Sequence, residues 1–521
     1  MTGPLPAATS LGRTLQRELA HVCAVSCDPA DLWAMSRDCW PRTLLWTKAG
    51  VTPHPPDLVA WPADVEQVQE LVRYAAAHAI ALIPYGNGSG VVGGTVPVRG
   101  GIAMDLKRLE SLRIDLPGRV AEASAGLNGQ RLEELLNAQG ATLGHFPSSI
   151  YCSTVGGWLA ARSAGQLSSR YGKIEDMVLS LQAVDGTGAL LHTLDGPSAG
   201  PDLTQLLVGS EGTLGVITSA RLRIWPKPTA RWLRGVKFPS VQAGLRALKA
   251  LMRSGLRPAV ARLYDPLDTL LAGKSGGAAL HVPQPLKWMV DGAQAQSLRL
   301  ALRAPLLLNR LVDALPQSSL LILGFEGDSE DECAEEGDAA LALCQAERGD
   351  DLGAAPGERW LQHRYKISYR QSPLYSAGAF VDTMEVATTW DRLDSLYAAV
   401  RRALSTRVFV MAHFSHAYLE GCSIYFTFIG HAGAPADEIA RGSRDDAEAD
   451  LEEAESRYDA CWKAAMSAVA DEGATLSHHH GVGLSKQIFL PREHGEGMRQ
   501  LRALKKAFDP HGILNPGKLL L

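Results

Sequence analysis

The chain has 521 residues, 51 Lys and Arg against 56 Asp and Glu, and a formal net charge of −5 at pH 7. With 46% hydrophobic and 21% charged residues it has the balance of an ordinary globular protein, which excludes intrinsic disorder and the basic excess of a general nucleic-acid binder. Its length calls for two or more domains with sizeable cores. No uncharged apolar run reaches the roughly 18 residues of a membrane-spanning helix. The segment MTGPLPAATSLGRTLQRELA, interrupted by Arg13 and Arg17, lacks the apolar centre of a secretory signal. The eight cysteines form no CxxC pair, which suits a reducing compartment, and a cytoplasmic location is expected.

In chain order, residues 1–45 read as a partly helical lead-in ending at Trp40-Pro41. The spacing of Val65, Val68, Leu71, Val72 and Ala75 predicts a helix over 64–79, followed by a buried strand over 80–85. A helix with a glycine stop is expected at 131–140, and a strand–turn–strand around Asp185-Gly186. A last strand at 221–228, closed by two prolines, marks a domain boundary. Beyond it, Arg221–Arg303 is strongly basic, 326–358 is strongly acidic, and a further acidic helix lies at 444–460. Such runs read first as solvated faces. Strands at 320–327, 380–387 and 423–430, with helices at 329–347, 391–404 and 445–471, predict an α+β second domain over about 229–475.

Four clusters carry chemistry. The run Pro84-Tyr85-Gly86-Asn87-Gly88-Ser89-Gly90-Val91-Val92-Gly93-Gly94 follows the strand, and glycines there let backbone N–H groups approach a diphosphate. It contains GxGxxG at Gly88, Gly90 and Gly93. The dinucleotide fingerprint needs a helix directly afterwards, which Thr95-Val96-Pro97-Val98-Arg99-Gly100 does not allow. The segments 145–165, 170–181 and 208–218 repeat the density of small residues and hydroxyls.

The triplet His478-His479-His480 invites a metal reading. Adjacent residues of an extended segment point to opposite faces, and although His413 and His416 could add ligands, no carboxylate partner is evident, so no metal is expected. A cluster that contacts an anion or moves protons is the leading reading, ahead of exposed histidines without a role.

Together these clusters resemble the FAD-binding domain of the vanillyl-alcohol oxidase (PCMH-type) superfamily. With RLYDP (262–266), SYRQS (368–372), TTWD (388–391), SHAYLEGCSIYFTF (415–428) and LSHHHGVG (476–483) following in order, the chain is similar to the alkyldihydroxyacetonephosphate synthases over about 55–520. The resemblance implies an α+β protein. A PCMH-type FAD-binding domain of two α/β subdomains (46–228) would follow the lead-in (1–45), and an α+β cap (229–475) would cover the flavin ring. An active-site histidine segment and C-terminal strand (476–521) would return to the flavin domain.

The resemblance places FAD against Pro84, Tyr85, Gly86, Asn87, Gly88, Ser89 and Gly90, then Ser148, Ser149, Ser153, Thr154, Gly157, Ala161, Arg162, Ser163 and Ala164. Glu211, Gly212, Thr213, Leu214, Gly215, Val216, Ile217 and Lys518 complete the set. The glycine turn holds no histidine, so FAD is expected to be non-covalent. Tyr425 matches the family's catalytic acid/base, and His478, His479 and His480 its active-site histidines. Arg370 matches the arginine that binds the acyl substrate, and Arg262 one that holds the site together.

The implied reaction replaces the acyl group of acyl-dihydroxyacetone phosphate by a fatty alcohol, redox-neutrally, through a flavin N5 adduct. A homodimer is also implied, as is peripheral membrane contact through 287–315, with Arg299, Arg303 and Arg310; Pro305 interrupts that segment, and a core helix is the alternative reading of it. Two positions depart from the family pattern: Ser148 and Gln371 stand where it usually carries aspartates. Pro147-Ser148-Ser149 is closer to FAD-dependent 2-hydroxy-acid dehydrogenases, so an oxidase or dehydrogenase of a 2-hydroxy acid or alcohol is the alternative, and a non-catalytic flavin-binding lipid carrier the third reading.

Overall fold

The computed structural model describes residues 5–520 except 197–198, 270–300, 315–316, 366–371, 435–438 and 440–442. The chain forms two units. The first comprises Met1–Gly165, Gly172–Lys227 and His479–Leu521, the second Gln166–Tyr171 and Pro228–His478.

In the first unit, β1 (Ala24–Ser26), β2 (Leu58–Trp61), β3 (Leu82–Tyr85) and β4 (Ile102–Asp105) form a sheet in the order β1-β2-β4-β3. Its last three strands are parallel. Central β4 is buried throughout, as a parallel strand covered on both faces should be. The helix Val65–His78 starts at Asp64, whose carboxylate accepts from the Gln67 N–H. Its Val68, Leu71, Val72 and Ala75 pack on Leu58, Leu82, Ile102 and Met104, the face that the periodicity predicts. Leu15 and Leu19 of the helix Ser10–Leu19 join the same core, so this part of the lead-in belongs to the unit. Pro41 opens the helix Pro41–Ala49 instead of ending a segment, because the first helical turn needs no N–H there.

A second, antiparallel sheet runs β5 (Leu112–Asp115), β6 (Val120–Ser124), β10 (Val216–Arg223), β8 (Val178–Val184) and β9 (Leu190–His192) in the order β5-β6-β10-β8-β9. The expected strand at 221–228 is therefore the end of β10, and only Trp225–Pro226 (β11) continues, pairing with Ala141–Thr142 (β7). The tail was expected as a strand and is not one. It makes a single parallel bridge from Leu514 to Leu82, while the Asp509 carboxylate takes the N–H groups of Ile513 and Leu514.

The second unit holds one seven-stranded antiparallel sheet among the described residues. Its strands are β12 (Ala230–Phe238), β13 (Val260–Tyr264), β14 (Ser319–Gly327), β15 (Asp350–Asp351), β16 (Ala379–Thr389), β17 (Phe409–Ala417) and β18 (Gly421–His431), in the order β15-β12-β14-β13-β17-β18-β16. The helices Glu330–Ala346, Leu393–Ser405 and Arg444–Asp471 stand where the sequence places them. The solvated-face reading fails at one acid of the 326–358 run. Glu326 is buried, paired with Arg231 at 2.9 Å and accepting from the Tyr171 hydroxyl at 2.7 Å, because a buried carboxylate needs such partners.

Candidate functional site

The first unit builds a cradle of backbone and small side chains. After Tyr85 the chain stays irregular until β4 begins at Ile102, so no helix follows GxGxxG. Gly88 lies at φ 63°, and a Cβ on it would overlap the Tyr85 hydroxyl, which donates to the Arg37 carbonyl at 2.7 Å. A Cβ on Gly86 would stand 2.5 Å from Thr154 Oγ1. The Cys39 N–H reaches the Gly88 carbonyl at 2.9 Å, so the segment after Arg37 props the turn from behind. Asn87 and Ser89 are half-buried and Gly90 is exposed, while Pro84 packs on Gly212.

The hydroxyl-rich segment is organised by the short helix Val155–Ala160. Thr154 caps it, accepting from Gly157 N–H at 3.3 Å. Ser153 accepts from the Trp158 indole at 2.8 Å and donates to the Ser149 carbonyl at 2.8 Å, and Ser148 is exposed. Ala161 is half-buried and Ala164 buried. Ser163 bonds the buried His145 at 3.2 Å, and burial pushes that imidazole down to about 3, so it is neutral. Arg162, at φ 54°, pairs with Glu175 at 2.8 Å and donates to the Gln205 carbonyl at 2.9 Å, which gives its guanidinium structural partners.

The last cluster has a different character. Glu211, at φ 50°, accepts from Val482 N–H at 2.6 Å and Gly483 N–H at 2.9 Å, latching the segment after the histidines. Thr213 donates to the Ser210 carbonyl, and its own carbonyl takes the Lys505 ammonium. Leu214, Gly215, Val216 and Ile217 are buried at the head of β10, with Val216 in the sheet's core, so the apolar side chains there serve packing. Lys518 is fully buried, donating to the Val96 carbonyl at 2.7 Å. Burial brings its ammonium down to about 8, against the pull of Asp38 and Glu211.

Thr95 Oγ1, Ser210 Oγ, His145 Nδ1 and Asn515 Oδ1 are buried without a protein hydrogen-bond partner. Thr95 directly follows the glycine turn, Ser210 adjoins Glu211, and Asn515 Nδ2 bonds the Gly94 and Glu211 carbonyls at 2.9 and 2.7 Å. Orphaned polar atoms beside a turn where Cβ atoms do not fit suit a dinucleotide that supplies the missing partners.

The second unit builds a polar cluster in an apolar sheet. Tyr425 on β18 stands opposite Glu385 on β16 and His413 on β17. The His413 ring stacks on Tyr425, with centroids 4.6 Å apart and planes at 19°. Arg262 of β13 donates to His413 Nε2 at 2.7 Å, and Asp268 lies 3.1 Å from Nδ1. A guanidinium only donates, so Nε2 is the acceptor and the proton sits on Nδ1, facing the carboxylate. Burial, reinforced by Arg262, keeps His413 neutral.

Between Ser415 and Ala417 the register of β17 against β18 shifts, and the extra residue, His416, lies at φ 54°. Its Nε2 is 2.8 Å from the Tyr425 hydroxyl and its Nδ1 2.7 Å from Ser168 Oγ. The Tyr418 hydroxyl donates to Ser168 Oγ at 3.1 Å. The Glu385 carboxylate accepts from His478 N–H at 2.8 and 3.0 Å and from the Ser477 hydroxyl at 3.1 Å. The His478 ring lies 5.4 Å from that of His416. Burial, and then the Glu385 charge, hold the Tyr425 hydroxyl well above its ordinary pKa, with Arg262 opposing.

Of the expected catalytic residues, Tyr425, Arg262 and His478 thus gather in the second unit, while His479 and His480 belong to the first, their rings 4.7 Å apart edge to face. Arg370, Gln371 and Arg299 lie outside the described residues. Within 287–315 the structure describes the helix Pro305–Asp313, where Arg310, Leu306, Leu307 and Leu311 are exposed, as is Arg303 before it. Sequence reasoning weighed His413 and His416 only as metal ligands and missed Glu385, although the two carboxylates within FVDTMEVA, Asp382 and Glu385, were a signal of buried polar partners. Ser168 carried no signal, being 248 residues from His416.

Comparison with known proteins places this geometry in context. Residues 56–194 match the FAD binding domain, and residues 227–519 match the FAD linked oxidases, C-terminal domain. An alkyldihydroxyacetonephosphate synthase of Dictyostelium discoideum is 30% identical over 92% of this chain and 76% of its own length. Its counterpart in Trypanosoma brucei brucei is 29% identical over 92% of this chain and 75% of its own. A solved alkyldihydroxyacetonephosphate synthase structure superposes with a TM-score of 0.75 at 26% identity, covering 99% of this chain and 87% of that one.

Proposed function

The chain belongs to the FAD-linked oxidases, in the branch of the alkyldihydroxyacetonephosphate synthases, and from that premise we propose that it exchanges the acyl group of acyl-dihydroxyacetone phosphate for a fatty alcohol. The observation that carries this reading is the buried tyrosine–histidine cluster around Tyr425, in a chain similar to such synthases over nearly its whole length. The exchange removes a proton from C1, releases the fatty acid and adds the alcohol oxygen, so no net electrons change hands.

FAD, when bound, supplies a ring able to take up and return an electron pair. Gly86, Gly88 and Thr154 would line its diphosphate, with the Thr95 and Ser210 hydroxyls as donors. Binding without a covalent link is part of this proposal, in keeping with a turn at 84–94 that holds no histidine. Tyr425 takes and returns the proton at C1. His413, locked between Arg262 and Asp268, supports its ring from one face. His413 is buried, which keeps water from its ring, while Tyr425 and Arg262 are half-buried. His478, His479, His480 and Arg370 would hold the phosphate and the leaving carboxylate.

The location proposed is cytoplasmic, on the inner face of a membrane. No helix among the described residues is long and apolar enough to cross a membrane, and the exposed Leu306, Leu307 and Leu311 beside Arg303 and Arg310 support peripheral contact there. The homodimer is proposed from the family alone. Binding to anionic vesicles, lost on reversing Arg299, Arg303 and Arg310 to Glu, tests the contact. Pro147-Ser148-Ser149 favours the second reading, a 2-hydroxy-acid or alcohol dehydrogenase. Fatty-alcohol exchange without an electron acceptor separates the two.

A further inference from the structure

The geometry assigns His416 as the positioning residue for Tyr425: a neutral imidazole held in its Nε2–H tautomer by Ser168 and Tyr418, donating a hydrogen bond to the Tyr425 oxygen. The assignment rests on the role proposed above for Tyr425.

Three observations lead to it. First, His416 is delivered by a distortion of the sheet. It is the extra residue where β17 slips against β18, at φ 54°, a left-handed conformation that a non-glycine side chain enters at a cost. A regular strand would alternate the side chains of Ser415, His416 and Ala417 across the sheet, and the slip re-aims the imidazole.

Second, both ring nitrogens are engaged: Nδ1 by Ser168 Oγ at 2.7 Å and Nε2 by the Tyr425 hydroxyl at 2.8 Å. The ring is buried, and burial together with His478 and Arg262 keeps it from taking a second proton. A neutral imidazole has one donor and one acceptor, so fixing one nitrogen fixes the other.

Third, Ser168 can supply the proton. Its oxygen accepts from the Tyr418 hydroxyl at 3.1 Å, which leaves its own single proton available to His416 Nδ1 at 2.7 Å, and the assignment places it there. Nδ1 is then the acceptor, and Nε2 carries the hydrogen towards Tyr425. The tyrosine oxygen accepts this bond, and its oxyanion form, which Glu385 opposes and Arg262 favours, gains a donor that need not move. The charged and titratable groups around Tyr425 are Glu385 on β16, Arg262 on β13, His413 and His416 on β17, Tyr418 and Cys422. The His416 ring reaches the hydroxyl itself, at 2.8 Å. His413, protonated on Nδ1, only stacks on the ring.

Histidine 15N spectra of the FAD-loaded full chain near pH 7.5, with His416 assigned by its loss in His416→Gln, read the tautomer directly. The result expected is a single Nε2–H form that becomes a mixture in Ser168→Ala. A single Nδ1–H form, or a tautomer indifferent to Ser168→Ala, overturns the assignment. In exchange assays His416→Leu is expected to lower kcat about tenfold to a hundredfold with little change in KM, and His416→Gln, which keeps an N–H near the position of Nε2, to recover most of it. Equal kcat for the Leu and Gln variants also overturns it. Should the unsubstituted protein show no exchange, the transferase reading falls, and the tautomer alone decides on His416.

Discussion

Glu385 and Tyr425 are direct partners across β16 and β18, a carboxylate and a phenol facing each other in a buried sheet. The carboxylate is not idle: its two oxygens share the backbone N–H of His478, and it accepts a further hydrogen bond from the Ser477 hydroxyl. One acid therefore ties the histidine segment to β16, the strand beside the tyrosine's, and also opposes ionisation of that tyrosine.

Glu385→Gln separates these two roles. Removing the charge lowers the pKa of Tyr425, so the rising limb of the pH–rate profile moves to lower pH, while the weaker bond to His478 reduces kcat severalfold. A limb that stays in place or moves to higher pH contradicts the electrostatic role.

Tyr425→Phe keeps the ring that stacks on His413 and removes only the hydroxyl. Alkyl exchange should fall by about 10²–10⁴, the usual range for loss of an acid/base, with FAD content unchanged. Full FAD content together with retained exchange would take Tyr425 out of the chemistry.

Gly86→Ala tests the cradle. Its Cβ would meet Thr154 Oγ1 at 2.5 Å, and forcing such a contact costs about 1–3 kcal/mol. Flavin fluorescence titration should show FAD binding weakened by about tenfold or more, whereas Gly140→Ala, with open space around it but φ 74°, should lower the melting temperature slightly and leave FAD binding alone.

His145 sets a pH signature of stability. Its folded value, about 3, lies below the ordinary 6.5, so the unfolded chain binds the extra proton. The stability it contributes is present above pH 6.5 and lost progressively as pH falls towards 3, at up to about 1.4 kcal/mol per unit. In urea unfolding, the penalty of His145→Phe should therefore be smaller at pH 5 than at pH 7, by up to about 2 kcal/mol.

The helix Val65–His78 and the strands β14, β16 and β18 were legible because their apolar periodicity is strong. β12 and β13 were not: their arginines interrupt the pattern, and Arg231 finds its partner, Glu326, only across the sheet. The glycine turn was readable as a cradle, and the missing helix after it excluded the commoner dinucleotide fold. Tyr425 and His478 stood out through family likeness. Their surroundings did not, because Ser168, Glu385 and His416 meet only through strand register and one bulge, neither of which a single sequence encodes locally. The tail misled for a related reason: Ile513 and Leu514 read as a strand but are held by the Asp509 carboxylate and one bridge.

The central claim is alkyl exchange, and one anaerobic measurement addresses it. The FAD-loaded protein is incubated with acyl-dihydroxyacetone phosphate and labelled fatty alcohol, with no electron acceptor present. The account predicts that label enters the ether product as fatty acid is released in equal amount, with no lasting bleaching of the flavin. Absence of label, with bleaching and acceptor-dependent turnover on 2-hydroxy acids, would contradict it and establish a dehydrogenase.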